Sequence, residues 1–177
     1  MKAVIVDDFD RAATKGVGNV KVAGNYAADL LPNMRAKQEG YPAALYLDSK
    51  TNSFVEEFST SNFIAVDNKG SYITPKSDAI LSSITNKSLM QLAENEGINV
   101  EYRQVNVDEL EGFDEVAACG TAVVMTPVES VRFKDRILNI SDRKGLGPVL
   151  QKLYNKLRAI QFGETDDDLD WMVDVTA

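Results

Sequence analysis

Apolar residues gather first at Ala3 to Val6 and stop at the acidic pair Asp7-Asp8, a short run that predicts a β-strand. A glycine-rich stretch, GVGNVKVAGNY from Gly16 to Tyr26, follows; Ala27 to Glu39 then has helical composition, with Gly40 as its C-cap. Pro32 falls inside that helix and predicts a kink or break near Leu31. Ala43 to Asp48 (AALYLD) predicts a strand ending in a polar turn, Ser49 to Ser53. The runs Phe54 to Phe58 (FVEEF), Asn62 to Asp67 (NFIAVD) and Ser71 to Thr74 (SYIT) are separated by turn residues, among them Asn68-Lys69-Gly70. They predict an antiparallel meander.

From Ile84 to Glu96 the period becomes helical, with Ile84, Leu89, Leu92 and Ala93 on roughly one face and Gly97 as terminator. Asn99 to Val105 predicts another strand, and Asp108 to Glu111 a short turn or helical stub. Glu115 to Pro127 (EVAACGTAVVMTP) holds two apolar pieces around a Cys-Gly-Thr turn. The last long element opens at Pro148 and carries Val149, Leu153, Leu157 and Ile160 on one face before Gly163. After the acidic segment Glu164 to Asp170, Trp171, Met172 and Val173 predict an anchor for the C-terminus. With no internal repeat or low-complexity linker, the class is α+β, with several antiparallel strands and three or four helices.

Composition narrows what such a fold can do. The 177 residues are enough for a core and predict one soluble globular domain. A formal net charge of -8 argues against nucleic acid and against an anionic membrane surface, both of which are gripped by clustered Lys and Arg. No apolar run approaches the roughly 20 residues of a membrane span. The lone cysteine, Cys119, rules out an internal disulfide framework and makes the reducing cytoplasm the default compartment. Histidine is absent, which removes Ser-His-Asp triads, Cys-His dyads and His-built zinc sites, and no metal is expected. Chemistry must run on Lys, Asp/Glu, Tyr, Ser/Thr or a cofactor.

Several positions carry such chemistry, each beside a plainer reading. Gly16-x-Gly18-x-x-Lys21 fits neither a P-loop nor a dinucleotide fingerprint, and standing alone is a glycine-rich turn with a surface lysine. Glu56 and Glu57 are adjacent on a strand, so one carboxylate points inward while the other meets solvent; alone, the pair reads as two solvated glutamates on an edge strand. Ser83 precedes a helix, as an ordinary N-cap does. Cys119 reads as a small buried residue with nothing nearby to activate it.

Five stretches alter this picture together. GNVKVAGNYAADLLP, FVEEFSTSNFIAV, TPKSDAILSSITNKSLMQLAENEGI, ACGTAVVMTPV and KLRAIQFGETDDDLDW stand in the order and spacing of branched-chain amino-acid aminotransferases, and the likeness covers nearly the whole chain. The sequence resembles the large, cofactor-bearing domain of these fold-type IV enzymes. That implies a pseudo-barrel of mainly antiparallel strands with flanking helices, and pyridoxal 5'-phosphate (PLP) as cofactor. By resemblance, Lys21 forms the Schiff base with the cofactor aldehyde, its reactivity helped by the apolar neighbours Val20, Val22 and Ala23, which disfavour the ammonium form. Once released, the same amine moves the substrate's α-proton. Tyr26 matches the partner of the phenolic oxygen. Glu57 matches the inward carboxylate that pairs with the pyridine nitrogen, and Leu81 covers one ring face. Ile84 and Thr85 match phosphate-binding amides at a helix start, where the helix dipole favours an anion, and Thr85 adds its hydroxyl. Thr121 matches a phosphate contact, while the amides of Ala122 and Val123 help bind the substrate carboxylate.

The implied reaction transfers the amino group of leucine, isoleucine or valine to 2-oxoglutarate, in a homodimer. Two loop positions depart from the family pattern: Thr14 and Ser82 stand where many relatives have proline. The larger departure is length. The relatives carry a smaller N-terminal domain, which supplies an arginine to the phosphate and much of the side-chain pocket, and this chain begins almost where their second domain does. Residues 1–177 are therefore expected to be the single PLP-binding domain, with little or no activity alone. Two other readings stay open: a truncated fragment that folds without cofactor, and a class IV relative such as a D-amino-acid transaminase or an aminodeoxychorismate lyase.

Overall fold

The computed structural model describes residues 1–175. In chain order the elements are β1 (Lys2–Val6), α1 (Ala23–Gln38), β2 (Ala43–Leu47), β3 (Phe54–Phe58), β4 (Ser61–Asp67), β5 (Tyr72–Pro75), α2 (Ile84–Asn95), β6 (Val100–Arg103) and β7 (Val105–Asn106). A 3-10 turn (Val107–Gly112) leads into β8 (Phe113–Gly120), β9 (Val124–Pro127), β10 (Ser130–Phe133), β11 (Arg136–Asn139) and α3 (Pro148–Gln161). The strands form one 11-stranded sheet in the order β11-β10-β1-β2-β3-β4-β5-β6, with β7 joined to β3, and β8 joined to β4 and β9. Most pairs are antiparallel; β1 runs parallel to β2 and β10, and β5 parallel to β6.

Period-2 alternation sorts side chains into three apolar clusters. Ala3 and Ile5, Leu45 and Leu47, Phe63 and Ala65, and Val116 and Ala118 face one cluster, which also takes Val131 and Leu138 from the far edge. These residues are buried although the three helices pack on the other two clusters, so the sheet wraps round to cover them. The intervening residues face outward. Val4, Val6, Ala44 and Tyr46 pack on Ala36 of α1, while Ile64, Val66, Ala117 and Cys119 pack on Leu89, Leu92, Leu150, Leu153 and Leu157 of α2 and α3. The α+β reading and its mainly antiparallel sheet with flanking helices describe this architecture, and no helix among the described residues is long and apolar enough to cross a membrane.

The differences from the sequence reading have physical causes. Helix α1 starts earlier than expected, at Ala23, and runs through Pro32 without a break. Asp29, Pro32 and Ala36 form its buried stripe, so tertiary packing holds the helix despite a local proline penalty of about 3 kcal/mol. Ile84, expected on the core face of α2, is 75% exposed, because it opens the first turn before the apolar face swings inward. The strand expected over Asn99 to Val105 divides at Gln104, since β6 continues beside β5 while β7 crosses to β3. Leu150 is fully buried on α3, and Val149 only packs at the edge of the same cluster. The C-terminal anchor is Leu169, whereas Trp171, Met172 and Val173 are exposed.

The start of α3 is fixed by a residue distant in sequence. Glu115 on β8 is buried, and its two carboxylate oxygens accept the Val149 and Leu150 amides at 3.0 and 2.9 Å. It caps a helix whose N-cap residue, Gly147, has no side chain to do so. Glu115→Ala is expected to destabilise the fold by about 2–3 kcal/mol, because both amides lose a charged acceptor. A urea unfolding midpoint unchanged from wild type would remove Glu115 from that role.

Candidate active site

The β3–β4 hairpin turns on Ser59 and Thr60, which sets Glu57 opposite Asn62 at the sheet's end. Across from it lie the Arg11 to Lys21 loop, the first turn of α1 and the loop ending at Leu81. Together they enclose a cleft lined by Arg11, Gly18, Lys21, Asn25, Tyr26, Glu57, Asn62 and Leu81, among others. Glu57 lines it and is only 4% exposed. Its Oε1 lies 2.7 Å from Arg11 Nη2 and accepts the Leu81 amide at 3.1 Å, while Oε2 accepts from Asn62 Nδ2 at 3.1 Å. Burial pushes the carboxyl up to about 7 even though the Arg11 charge and the Leu81 amide pull it down.

Glu56 overturns the expectation that the other carboxylate of the pair meets solvent. It is 3% exposed and accepts a hydrogen bond from Ser77 Oγ at 2.6 Å, and burial raises its pKa against that hydrogen bond. Both faces of β3 are covered here, so strand alternation separates the two carboxylates without exposing either. Arg11 thus sits among Glu57, Glu56 and a third buried carboxylate, Asp29, which accepts the Tyr46 hydroxyl.

Opposite Glu57, the lysine loop is fastened rather than loose. Asn25 Nδ2 donates to the carbonyls of Val17 and Val20, both at 2.9 Å, and Arg11 donates to the carbonyl of Ala79 in the facing loop. Lys21 and Tyr26 follow at the cleft wall; Tyr26 is 41% exposed, and Lys21, Val20 and Ala23 are exposed as well. The apolar flank expected to disfavour the ammonium form of Lys21 therefore does not enclose it here.

Leu81 lines the cleft, but Ile84, Thr85, Thr121, Ala122 and Val123 are not among its lining residues. Thr85 is buried in the first turn of α2. Ser83 Oγ accepts the Asn86 amide at 3.1 Å and the Ser83 carbonyl accepts that of Lys87, so Ile84 and Thr85 hold the first amides of the helix, which have no intrahelical acceptor. This turn is anchored from below, where Tyr72 donates to Asn86 Oδ1 at 2.7 Å, Asn86 to Thr74 at 2.9 Å and Thr74 to the Phe63 carbonyl at 3.0 Å. Thr121 to Val123 form the β8–β9 turn. Cys119 pairs with Asn62, so that turn emerges beside Ser61 at the cleft's edge. Cys119 is buried and its thiol is pushed up to about 12 by burial, as expected of an inert residue.

Two lining residues, Arg11 and Asn62, were not singled out in the sequence. The two-residue turn inside FVEEFSTSNF is a signal that pairs Asn62 with Glu57; nothing local marks Arg11, whose partners are distant in the chain.

A lysine and a phenol line the same cleft as a buried carboxylate whose three hydrogen-bonding partners are all donors, and a helix starts three residues beyond Leu81. This donor set fits PLP: an amine for an aldehyde, an acceptor for a ring N–H, a phenol for the ring oxygen and free amides for a phosphate. Residues 1–131 match the amino-transferase class IV family, and the chain belongs to it. It is 42% identical over 177 residues to a branched-chain-amino-acid aminotransferase of Haemophilus influenzae, covering 97% of this chain and 52% of that protein. A Helicobacter pylori branched-chain-amino-acid aminotransferase is 41% identical over 172 residues, covering 97% and 50%. The solved branched-chain amino acid aminotransferase from Escherichia coli superimposes with a TM-score of 0.83 at 28% identity, over 97% of this chain and 56% of that one. That of Thermobaculum terrenum, in PLP-form, gives 0.80 at 30% identity, over 93% and 52%. The chain spans about half the length of the curated relatives it matches.

Proposed function

We propose that this chain is the PLP-binding unit of a branched-chain amino-acid transaminase, moving an amino group from leucine, isoleucine or valine to 2-oxoglutarate. The observation that carries the reading is the cleft in which Lys21 and Tyr26 face Glu57, buried against Arg11. Lys21 would hold the cofactor covalently through Nζ and, once substrate takes its place, would move the substrate's proton from the α-carbon to the cofactor. The Tyr26 hydroxyl donates to the ring oxygen, Glu57 holds a proton at the ring nitrogen, and Leu81 covers a ring face. Ile84 and Thr85 bind the phosphate from the start of α2, with Thr121 beside them, and the Ala122 and Val123 amides take the substrate carboxylate. When bound, PLP supplies the electron sink that spreads the charge left on the α-carbon.

Two partner features belong to the same reading. Val17, Val20, Leu30, Leu31 and Met34 leave apolar side chains exposed before and along α1, which supports association into a homodimer. The single buried cysteine suits a reducing cytoplasm.

Titration of the purified chain with PLP tests the proposal. A visible absorption band, absent from Lys21→Ala, is the expected result; no band in wild type, or the same band in the variant, contradicts it. Assayed alone with leucine and 2-oxoglutarate, these residues are expected to turn over at least about 100-fold more slowly than a full-length relative, because about half of that length is not there to position substrate.

A further inference from the structure

Asn62 is 6% exposed and projects from β4 into the cleft opposite Glu57. Its amide nitrogen donates twice, to the Leu81 carbonyl at 2.8 Å and to Glu57 Oε2 at 3.1 Å. The first contact fixes the orientation of the amide, because a backbone carbonyl only accepts, so nitrogen rather than oxygen must face it. The second hydrogen is then committed to the carboxylate.

The other Glu57 oxygen meets two further obligate donors, Arg11 Nη2 and the Leu81 amide. A carboxylate offers about four lone-pair positions, and three are filled by groups that cannot accept a proton. The fourth, on Oε2, has no partner among the described residues. Leu81 is held from both of its backbone groups, its N–H by Glu57 and its C=O by Asn62. One side chain therefore ties together the carboxylate, the loop that carries the ring-covering leucine, and the strand that leads to the β8–β9 turn through the Asn62 pairing with Cys119.

We propose that Asn62 is a positioning residue of this site: its doubly donating amide sets the orientation of Glu57 so that one acceptor position remains for the ring nitrogen of PLP, and locks Leu81 at the matching height. The role rests on the PLP reading; the Asn62–Glu57 coupling itself does not. Other charged or titratable groups around Glu57 are Arg11, Glu56 on the same strand, and Lys21 and Tyr26 across the cleft, with Asp29 beyond Arg11. None of them lies between Asn62 and Oε2.

The test follows the Glu57 carboxyl by carbon-13 NMR in cofactor-free protein, then PLP binding in the same samples. In wild type, the Asn62 side-chain N–H signals should shift with the same midpoint as the Glu57 carboxyl. In Asn62→Asp, which keeps size but replaces the donor with an acid, the Glu57 midpoint should rise by about one pH unit or more. Its PLP dissociation constant should rise by about tenfold or more, and Asn62→Ala should weaken binding similarly. Near-ultraviolet circular dichroism confirms that each variant is folded. An unmoved Glu57 midpoint in folded Asn62→Asp, or Asn62 signals in wild type that ignore Glu57, overturns the proposal. So does PLP affinity in both folded variants within a factor of two of wild type. If wild type takes up no PLP while the two titrations remain coupled, the functional reading fails and the role toward the cofactor falls with it, while the coupling stands.

Discussion

Replacing Gly18 with alanine should weaken PLP binding by at least about tenfold, since small displacements of a positioned reactive group are costly. A Cβ at this position would lie 2.2 Å from the Ala79 carbonyl oxygen and 2.8 Å from the Ala12 methyl. The obstacle is backbone, so no side chain can turn aside. Nor is the facing loop free to retreat: Arg11 holds the same Ala79 carbonyl, and Ser77 Oγ accepts the Ala79 amide at 3.1 Å. The lysine loop must therefore move outward, carrying Lys21 away from Glu57, at a stability cost of about 1–3 kcal/mol for overpacking. Gly24→Ala is the matched control. It lies in α1, outside the cleft lining, and an added Cβ there meets nothing within 4 Å, so binding should hold and stability should rise by about 0.5–1 kcal/mol. Equal PLP affinity in the two variants would show that the loop contact does not position the lysine.

Glu57 should produce the other large effect, and its pH dependence separates charge from packing. Glu57→Ala leaves the Arg11 guanidinium buried without its 2.7 Å partner, for an expected loss of about 3–5 kcal/mol. Glu57→Gln keeps the size and removes the ionisation. In wild type, burial raises this carboxyl from its ordinary 4.5 to about 7, so across that window the folded chain keeps a proton that the unfolded chain has released. Its contribution is fully present below about 4.5 and is lost as pH rises through about 7. The expected outcome is a wild-type urea midpoint that falls between pH 5 and pH 8 more steeply than that of Glu57→Gln, over a span of pH chosen to be about that window. Parallel curves would mean that burial does not raise the pKa of Glu57. Glu57→Gln should also bind PLP more weakly by about tenfold or more, because a neutral amide cannot hold the ring nitrogen protonated.

How much of this was legible in the chain depends on how far each cause lies along it. The β3–β4–β5 meander was readable because its signals are local: alternating apolar residues, Ser59-Thr60 and Asn68-Lys69-Gly70, with Gly70 at φ 81. The β10–β11 hairpin went unread, since Arg132, Lys134, Asp135 and Arg136 interrupt its apolar pattern, and only pairing with β1 supplies a reason for strands there. The Glu115 cap of α3 is a contact across 34 and 35 positions and has no local mark.

The site divides the same way. Lys21, Tyr26, Glu57 and Leu81 were marked through the ordered motifs, and the fold brings these four to one cleft. Burial of Glu56 and the Arg11–Glu57 pair were not legible, because both depend on the 77–81 loop folding over β3. Exposure of Lys21 could not be read from its apolar neighbours, since Val20 and Ala23 are themselves turned outward.

Lys21 is the residue proposed to hold the cofactor. The most direct measurement is borohydride reduction of the PLP-loaded protein, followed by mass spectrometry of its peptides. A phosphopyridoxyl label is expected on the peptide containing Lys21 at near one per chain, with other lysines essentially unlabelled. Label spread across surface lysines, or a Lys21 peptide recovered unmodified from fully loaded protein, would contradict that role.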